Sequence, residues 1–348
     1  MTEQVSAVED QTELLAATHV EITKQTVTGS SVLSRGANVY LQCAVIVIGI
    51  VGTVGNALVL YALVASKEHR KHVLIFNQNV LDLVSCFFLV VTYAVKLSNV
   101  DLAGPHGFWI CMTILSEGVV WGPVAGSLLN LVAISIARYL KVVHHIWSQK
   151  MMRNWMVYAV SAFSWIAGIG VVAVTIIPTT EIVNGVCYSQ VFFASREDQI
   201  AYVIVFIAWY IFTVPIFTLC YWRILVAVRR LAMVMAGHGS TTAQTQFHHL
   251  QYNVIKTMIL VCLLYTVTTT PLNIYYFLMM FDSKLTLLDD RYYAVLFISF
   301  FYICANPFIY ATKFDPVKRT LMRLIPCNKT FTPAVENIPI GVIPAPIR

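Results

Sequence analysis

An all-α membrane protein, built as a seven-transmembrane helix bundle, is the architecture that this residue order requires. Three features require it. Of 348 residues, 58% are hydrophobic and only 11% are charged, whereas soluble domains carry about 25% charged residues. The charges are separated by seven long stretches that are almost free of them. Lys and Arg also collect on alternate sides of those stretches. Disorder is excluded by the same composition, because 12% aromatic residues with so few charges would collapse in water.

The stretches can be taken in order. Between Arg35 and Lys67 lie 31 uncharged residues, where a membrane-crossing helix needs about 20. His72 to Lys96 encloses 23, interrupted only by Asp82, and Glu117 to Arg138 encloses 20. Arg153 to Glu181 encloses 27, Asp198 to Arg223 24, Lys256 to Asp282 25, and Arg291 to Lys313 21. Each can cross the hydrocarbon layer as a helix, which satisfies its own backbone hydrogen bonds where water is absent. The short alternating segments of a membrane barrel do not occur. No internal repeat is found, which counts against a transporter made of inverted halves.

Seven spans place the two termini on opposite sides. The loops 66–72, 138–153 and 223–256 and the tail after 312 hold 17 Lys and Arg, against 6 on the other side. The basic side is expected in the cytoplasm and the N-terminus outside. The net charge of +6 then reads as attraction to membrane lipids and cytoplasmic partners, with no nucleic acid. The expected division is an extracellular tail over 1–37, the bundle over 38–312, an amphipathic helix over 313–327 and a cytoplasmic tail over 328–348. With no apolar core behind a basic patch in the first 35 residues, span 1 is expected to serve as the insertion signal. Val317, Leu321, Met322, Leu324 and Ile325, interleaved with Lys318, Arg319 and Arg323, suit a short amphipathic eighth helix lying along the membrane. Cys327 follows it, either palmitoylated or unmodified.

Specific residues narrow the class. Gly55-Asn56 in span 1, Leu81-Asp82 in span 2, Arg138-Tyr139 ending span 3 and Trp165 in span 4 are followed by Pro215 with Tyr221 in span 5. Pro271 in span 6 and Asn306-Pro307-Phe308-Ile309-Tyr310 ending span 7 complete the series. Together, in this order, they resemble the marks of rhodopsin-like (class A) G-protein-coupled receptors. The resemblance implies a plasma-membrane receptor passing an extracellular signal, from a peptide or a small molecule, to heterotrimeric G proteins, with arrestin as a further partner. It also implies that the chain is not an enzyme, and no span supplies a His, Asp or Glu cluster for catalysis. A constitutively active or ligand-independent receptor is the alternative. A channel or transporter is a distant one, since mid-membrane charge amounts to Asp82, with Glu117 near the top.

A carboxylate at the depth of Asp82 costs at least about 2.5–3.5 kcal/mol and must be compensated. The family comparison suggests a sodium ion or water cluster shared with Ser127 and Asn306; the other reading is a protonated Asp82 bonded to neighbours such as Asn56. No other cofactor is expected. Tyr302 stands where relatives often carry another Asn. By the same resemblance, Arg138, with Tyr139, is a switch that turns toward the G protein, while its plain reading is a membrane anchor. Ala137 replaces the usual acidic neighbour, so the latch restraining the inactive state is expected to be missing and basal activity raised. Pro271 and Pro307 are expected hinges, with Thr268, Thr269 and Thr270 replacing an aromatic toggle. Tyr265 is either a substitute toggle or a packed core residue. Tyr310 is expected to swing toward Tyr221 through water.

Cys111 and Cys187 form the outward pair of the eight cysteines, and an oxidising exterior favours a disulfide between them. Cys111 precedes Arg138 by 27 residues and Pro215 precedes Tyr221 by six. The first spacing is two longer and the second two shorter than in relatives, so bulges or shifted ends are expected in both helices. The ligand cavity is expected among spans 3, 5, 6 and 7, with Glu117, Val120, Trp121, Thr269, Tyr292 and Tyr293 as candidate lining. Val120 stands where amine receptors place Asp, which argues against that ligand class. Glu117 either meets a ligand cation or is a wet helix end. No Lys lies between Arg291 and Lys313 to hold retinal. Arg138, Lys141, Ile146, Arg229 and Arg230 are the expected G-protein contacts.

Overall fold

The computed structural model describes residues 34–98, 100, 102–151, 153–183, 185–189, 196–238, 242–282, 285 and 290–324. Ile325 and Cys327 lie beyond Leu324, so the end of the expected amphipathic stretch and the lipid anchor fall outside the described residues.

Seven helices are long and apolar enough to cross a membrane: Val39–Ala65, Val73–Leu97, Gly104–Val143, Asn154–Thr179, Val203–Arg230, Asn253–Met279 and Asp290–Lys313, here spans 1 to 7. Their outer faces carry exposed Phe163, Ile166, Phe212, Trp222 and Leu263. Such side chains face lipid rather than water in a membrane-crossing bundle. A short helix, Asp315–Leu324, follows span 7. Its Val317 is buried and packs with the bundle core, while Lys318 and Arg319 are exposed, as the amphipathic pattern requires. Between spans 4 and 5, strands β1 (Thr180–Val183) and β2 (Val186–Ser189) pair antiparallel, with Ile182 opposite Cys187.

The long Cys111–Arg138 spacing has a local cause. Span 3 starts as an α-helix, widens to a π-helix over Ile110–Leu115, and restarts at Gly118 after Glu117 at φ 62°. The extra residues are absorbed there, at the end nearest the disulfide. The matching bulge expected in span 5 does not occur: that helix is continuous over Arg196–His238 with Pro215 inside.

The paired motif Gly55-Asn56 is explained by span 7. Pro307 has no N–H to offer the carbonyl one turn earlier, Ile303 O. Asn56 Nδ2 reaches across from span 1 and donates to that oxygen at 3.2 Å. A side chain at Gly55 would come within 2.9 Å of the Pro307 ring. Glycine lets the helices close, and asparagine then supplies the missing donor.

Candidate functional site

A cavity of about 500 Å³ lies among spans 3 to 7, with Trp121, Phe206, Tyr265, Thr269, Tyr276 and Tyr302 in its walls. Of the expected lining, Trp121 and Thr269 are there. The other four are not. Val120 is fully buried in the helix core, about 100° around the helix from its neighbour Trp121. Tyr292 packs behind Tyr276 and against Tyr275 and Tyr293. Glu117 is 7% exposed rather than a wet helix end. Its Oε1 pairs with Lys96 Nζ at 2.5 Å and its Oε2 accepts from Trp121 Nε1 at 3.1 Å. The cation it meets is internal to the chain, so it fixes Trp121 at the cavity edge. Beside it, the Cys111–Cys187 disulfide (S–S 2.01 Å) ties β2 to the start of span 3.

Below the cavity runs a directed chain of hydrogen bonds. Trp165 Nε1, which can only donate, gives to Asn77 Oδ1 at 3.0 Å. Asn77 Nδ2 must then give to Asn130 Oδ1 at 3.0 Å. Asn130 Nδ2 gives to Leu74 O at 2.8 Å and to Gln78 Oε1 at 2.9 Å. That leaves Gln78 Nε2 to face Ser127 Oγ, Tyr302 OH at 3.0 Å and Asp82 Oδ1 at 3.3 Å. Asp82 also accepts from Ser127 Oγ at 2.6 Å and from Asn306 Nδ2 at 2.8 Å. The fully buried Asp82 carboxylate is thereby compensated by three donors from three spans.

Ser127 and Asn306 join Asp82 as the sequence suggested, but Asn56 does not; its amide serves Ile303 O instead. Gln78, Asn77 and Asn130 escaped the sequence reading, though three more amides in charge-poor spans were visible as polar residues needing partners. Asp82 is satisfied by donors of the chain itself. A cation needs oxygen ligands, whereas the Gln78 amide, locked by Trp165 and Leu74 O, turns its N–H groups into that space. Asn306 Oδ1 is a buried acceptor without a partner among the described residues.

Tyr302 belongs to both regions. Its ring lines the cavity and meets Tyr265 edge to face, while its hydroxyl lies 3.0 Å from Ser127 Oγ. Tyr265 is packed in the buried core and also lines the cavity. The threonine run bonds back onto the helix just before Pro271: Thr268, Thr269 and Thr270 donate to Leu264 O, Tyr265 O and Thr266 O. Tyr210 OH, 2.6 Å from Thr270 Oγ1, ties span 5 to the same segment.

At the opposite end, Arg138 has no carboxylate partner among the described residues; its Nη2 lies 3.4 Å from His72 Nδ1. His72 sits just before span 2, and burial together with the Arg138 charge holds its pKa down at about 4. Tyr139 OH contacts His144 Nε2 at 3.1 Å. Tyr221 OH sits 3.2 Å from Ser135 Oγ, and Tyr310 OH is buried without a partner among the described residues; no hydrogen bond joins the two tyrosines. Lys141, Ile146, Arg229 and Arg230 are exposed on this face, Ile146 to 76%.

The chain is 24% identical to mouse (Mus musculus) C-C chemokine receptor type 8 over 334 residues, covering 89% of this chain and 87% of the relative. It is 21% identical to rat (Rattus norvegicus) somatostatin receptor type 1, covering 87% and 75%. A shorter match of 148 residues, 32% identical, joins 41% of the chain to 37% of the Bombyx mori allatostatin-A receptor. The family described as 7 transmembrane receptor (rhodopsin family) matches residues 55–310, which hold the cavity, the Asp82 chain and Arg138. The chain therefore belongs to the rhodopsin family of seven-transmembrane receptors and is a G-protein-coupled receptor for an extracellular ligand.

Proposed function

We propose that the ligand seats an uncharged, largely apolar group in the cavity and that Tyr302 carries the signal inward. The supporting observation is the double membership of Tyr302, whose ring is cavity wall and whose hydroxyl is part of the Asp82 network. Displacing the Tyr265–Tyr302 pair changes the hydrogen bonds available to Ser127 and Gln78. Asn306, bonded to Asp82 and adjacent to Pro307 in the Asn306–Tyr310 segment, passes that change to Pro307 and Tyr310. A buried hydroxyl without a partner gains a hydrogen bond by moving, so Tyr310 is the part free to rearrange.

Arg138, which has no acidic latch, then meets the G protein with Lys141, Ile146, Arg229 and Arg230 around it. The distribution of Lys and Arg supports an external N-terminus, and the receptor acts at the plasma membrane. Arrestin is a further partner on the same cytoplasmic face. The absent latch also supports the second reading, measurable signalling without any ligand.

The test is nucleotide exchange by purified heterotrimers facing the full chain in lipid nanodiscs. Exchange above the receptor-free rate, abolished by Arg138→Ala, is expected. No acceleration in any heterotrimer class, across a screen of peptides and neutral small molecules, would overturn the reading.

A further inference from the structure

Span 4 is held against span 3 by glycine. A Cβ on Gly168 would lie 2.3 Å from Gly122 O, and one on Gly126 would lie 2.7 Å from Ser164 O. Only hydrogen at these positions lets the two backbones meet, the usual device of close helix pairs in lipid. Leaning on span 3, span 4 makes almost no backbone contact with span 5 among the described residues. A gap between spans 4 and 5 is the geometric result.

The cavity wall runs into that gap. Gly170 and Val174 of span 4 and Val205 of span 5 line the cavity, yet all three lie on the outer, lipid-facing surface. Val174 is 77% exposed and Val205 49%. A Cβ on Gly170 would meet no atom within 4 Å. The cavity is thus open sideways, toward acyl chains.

Its chemistry matches that exit. Among the described residues, no Asp, Glu, Lys, Arg or His lines it. Its hydroxyls are already engaged within the chain: Thr269 donates to Tyr265 O, Thr175 to Val171 O and Ser299 to Leu296 O. A charged guest would enter without a counterion, at a cost of many kcal/mol, whereas an apolar guest already dissolved in lipid loses nothing on entry.

We propose that the gap between spans 4 and 5 is a lateral portal, through which a neutral, lipid-soluble ligand enters the cavity from the bilayer. The proposal rests on the cavity being the ligand seat, and it assigns both the ligand class and the route.

The experiment uses the full chain in nanodiscs whose lipid contains a neutral, diazirine-bearing long-chain alcohol. Photolabelled residues are mapped by mass spectrometry against time of exposure. Labelling of Leu272 and Tyr276, deep in the wall, is expected in the unsubstituted chain. Gly170→Phe fills open space and is expected to slow that labelling about tenfold, the factor that about 1.4 kcal/mol of added barrier produces. Gly170→Ala, too small to obstruct, is expected to keep the original rate, which shows that obstruction and not misfolding slows the larger variant. Equal rates in Gly170→Phe and the unsubstituted chain overturn the portal. Equal labelling by a trimethylammonium analogue of the same chain length overturns the ligand class, and no interior labelling overturns both. The readout needs no G protein, so its failure leaves the nucleotide-exchange test standing, and the reverse also holds.

Discussion

The rings of Tyr265 and Tyr302 meet edge to face, centroids 5.2 Å apart, where the cavity ends and the Asp82 network begins. Removing only the hydroxyl separates the two roles of Tyr302. Tyr302→Phe keeps the ring contact but withdraws a partner from Gln78 and Ser127. It is expected to cost about 1–2 kcal/mol of stability, read as a lower melting temperature in detergent. Ligand-stimulated nucleotide exchange is expected to fall further than ligand affinity does. Equal losses in affinity and exchange would assign Tyr302 to the pocket alone.

The orientation of the Gln78 amide leads to a prediction about salt. Because its N–H groups face Asp82, agonist affinity is expected to stay unchanged when sodium is replaced by choline at constant ionic strength. Titrating sodium chloride against choline chloride in a binding assay measures this. A sodium-dependent loss of agonist affinity that disappears in Asp82→Asn would restore the ion.

Among the described residues Arg138 contacts His72 and no carboxylate, and Ala137 precedes it. Ala137→Asp places an acid beside the guanidinium, in the position where relatives carry their latch. An added ion pair of about 1 kcal/mol corresponds to roughly a fivefold shift between states. Agonist-free nucleotide exchange is therefore expected to drop severalfold in Ala137→Asp, with Ala137→Asn as the uncharged control. An unchanged basal rate in the acidic variant argues against this account of basal activity.

His72 makes stability depend on pH. Its pKa falls from 6.5 to about 4 on folding, through burial first and the Arg138 charge second. Above pH 6.5 the ring is neutral in both states and contributes no pH dependence. As pH drops from 6.5 toward 4, the unfolded chain binds a proton that the folded chain excludes. Stability declines across that window by up to about 3 kcal/mol and levels off below it. Melting temperatures between pH 7 and pH 4 are expected to fall less in His72→Gln than in the unsubstituted chain. Parallel curves would remove His72 from the account.

Much of the architecture could be read without coordinates, because lipid forces each crossing segment to hide its own backbone and to expel charge. The seven stretches, the amphipathic segment after Lys313 and the Cys111–Cys187 pairing all follow from that pressure and from the redox asymmetry of a membrane. The network around Asp82 was legible only in part. Ser127 and Asn306 were found through family spacing, whereas Gln78, Asn77 and Asn130 lacked any motif and became partners through helix rotation. Glu117 misled for the same reason: a carboxylate near a helix end looks wet until the fold brings Lys96 and Trp121 to it.

Residue order alone determined how many times this chain crosses the bilayer and which polar groups must be buried, since both depend on the cost of charge in hydrocarbon. Which polar groups meet, which way each amide points, and where the bundle is left open depended on how the helices pack. The Gly122–Gly168 contact draws span 4 toward span 3 and away from span 5, and a contact between residues 46 apart in sequence has no local signature.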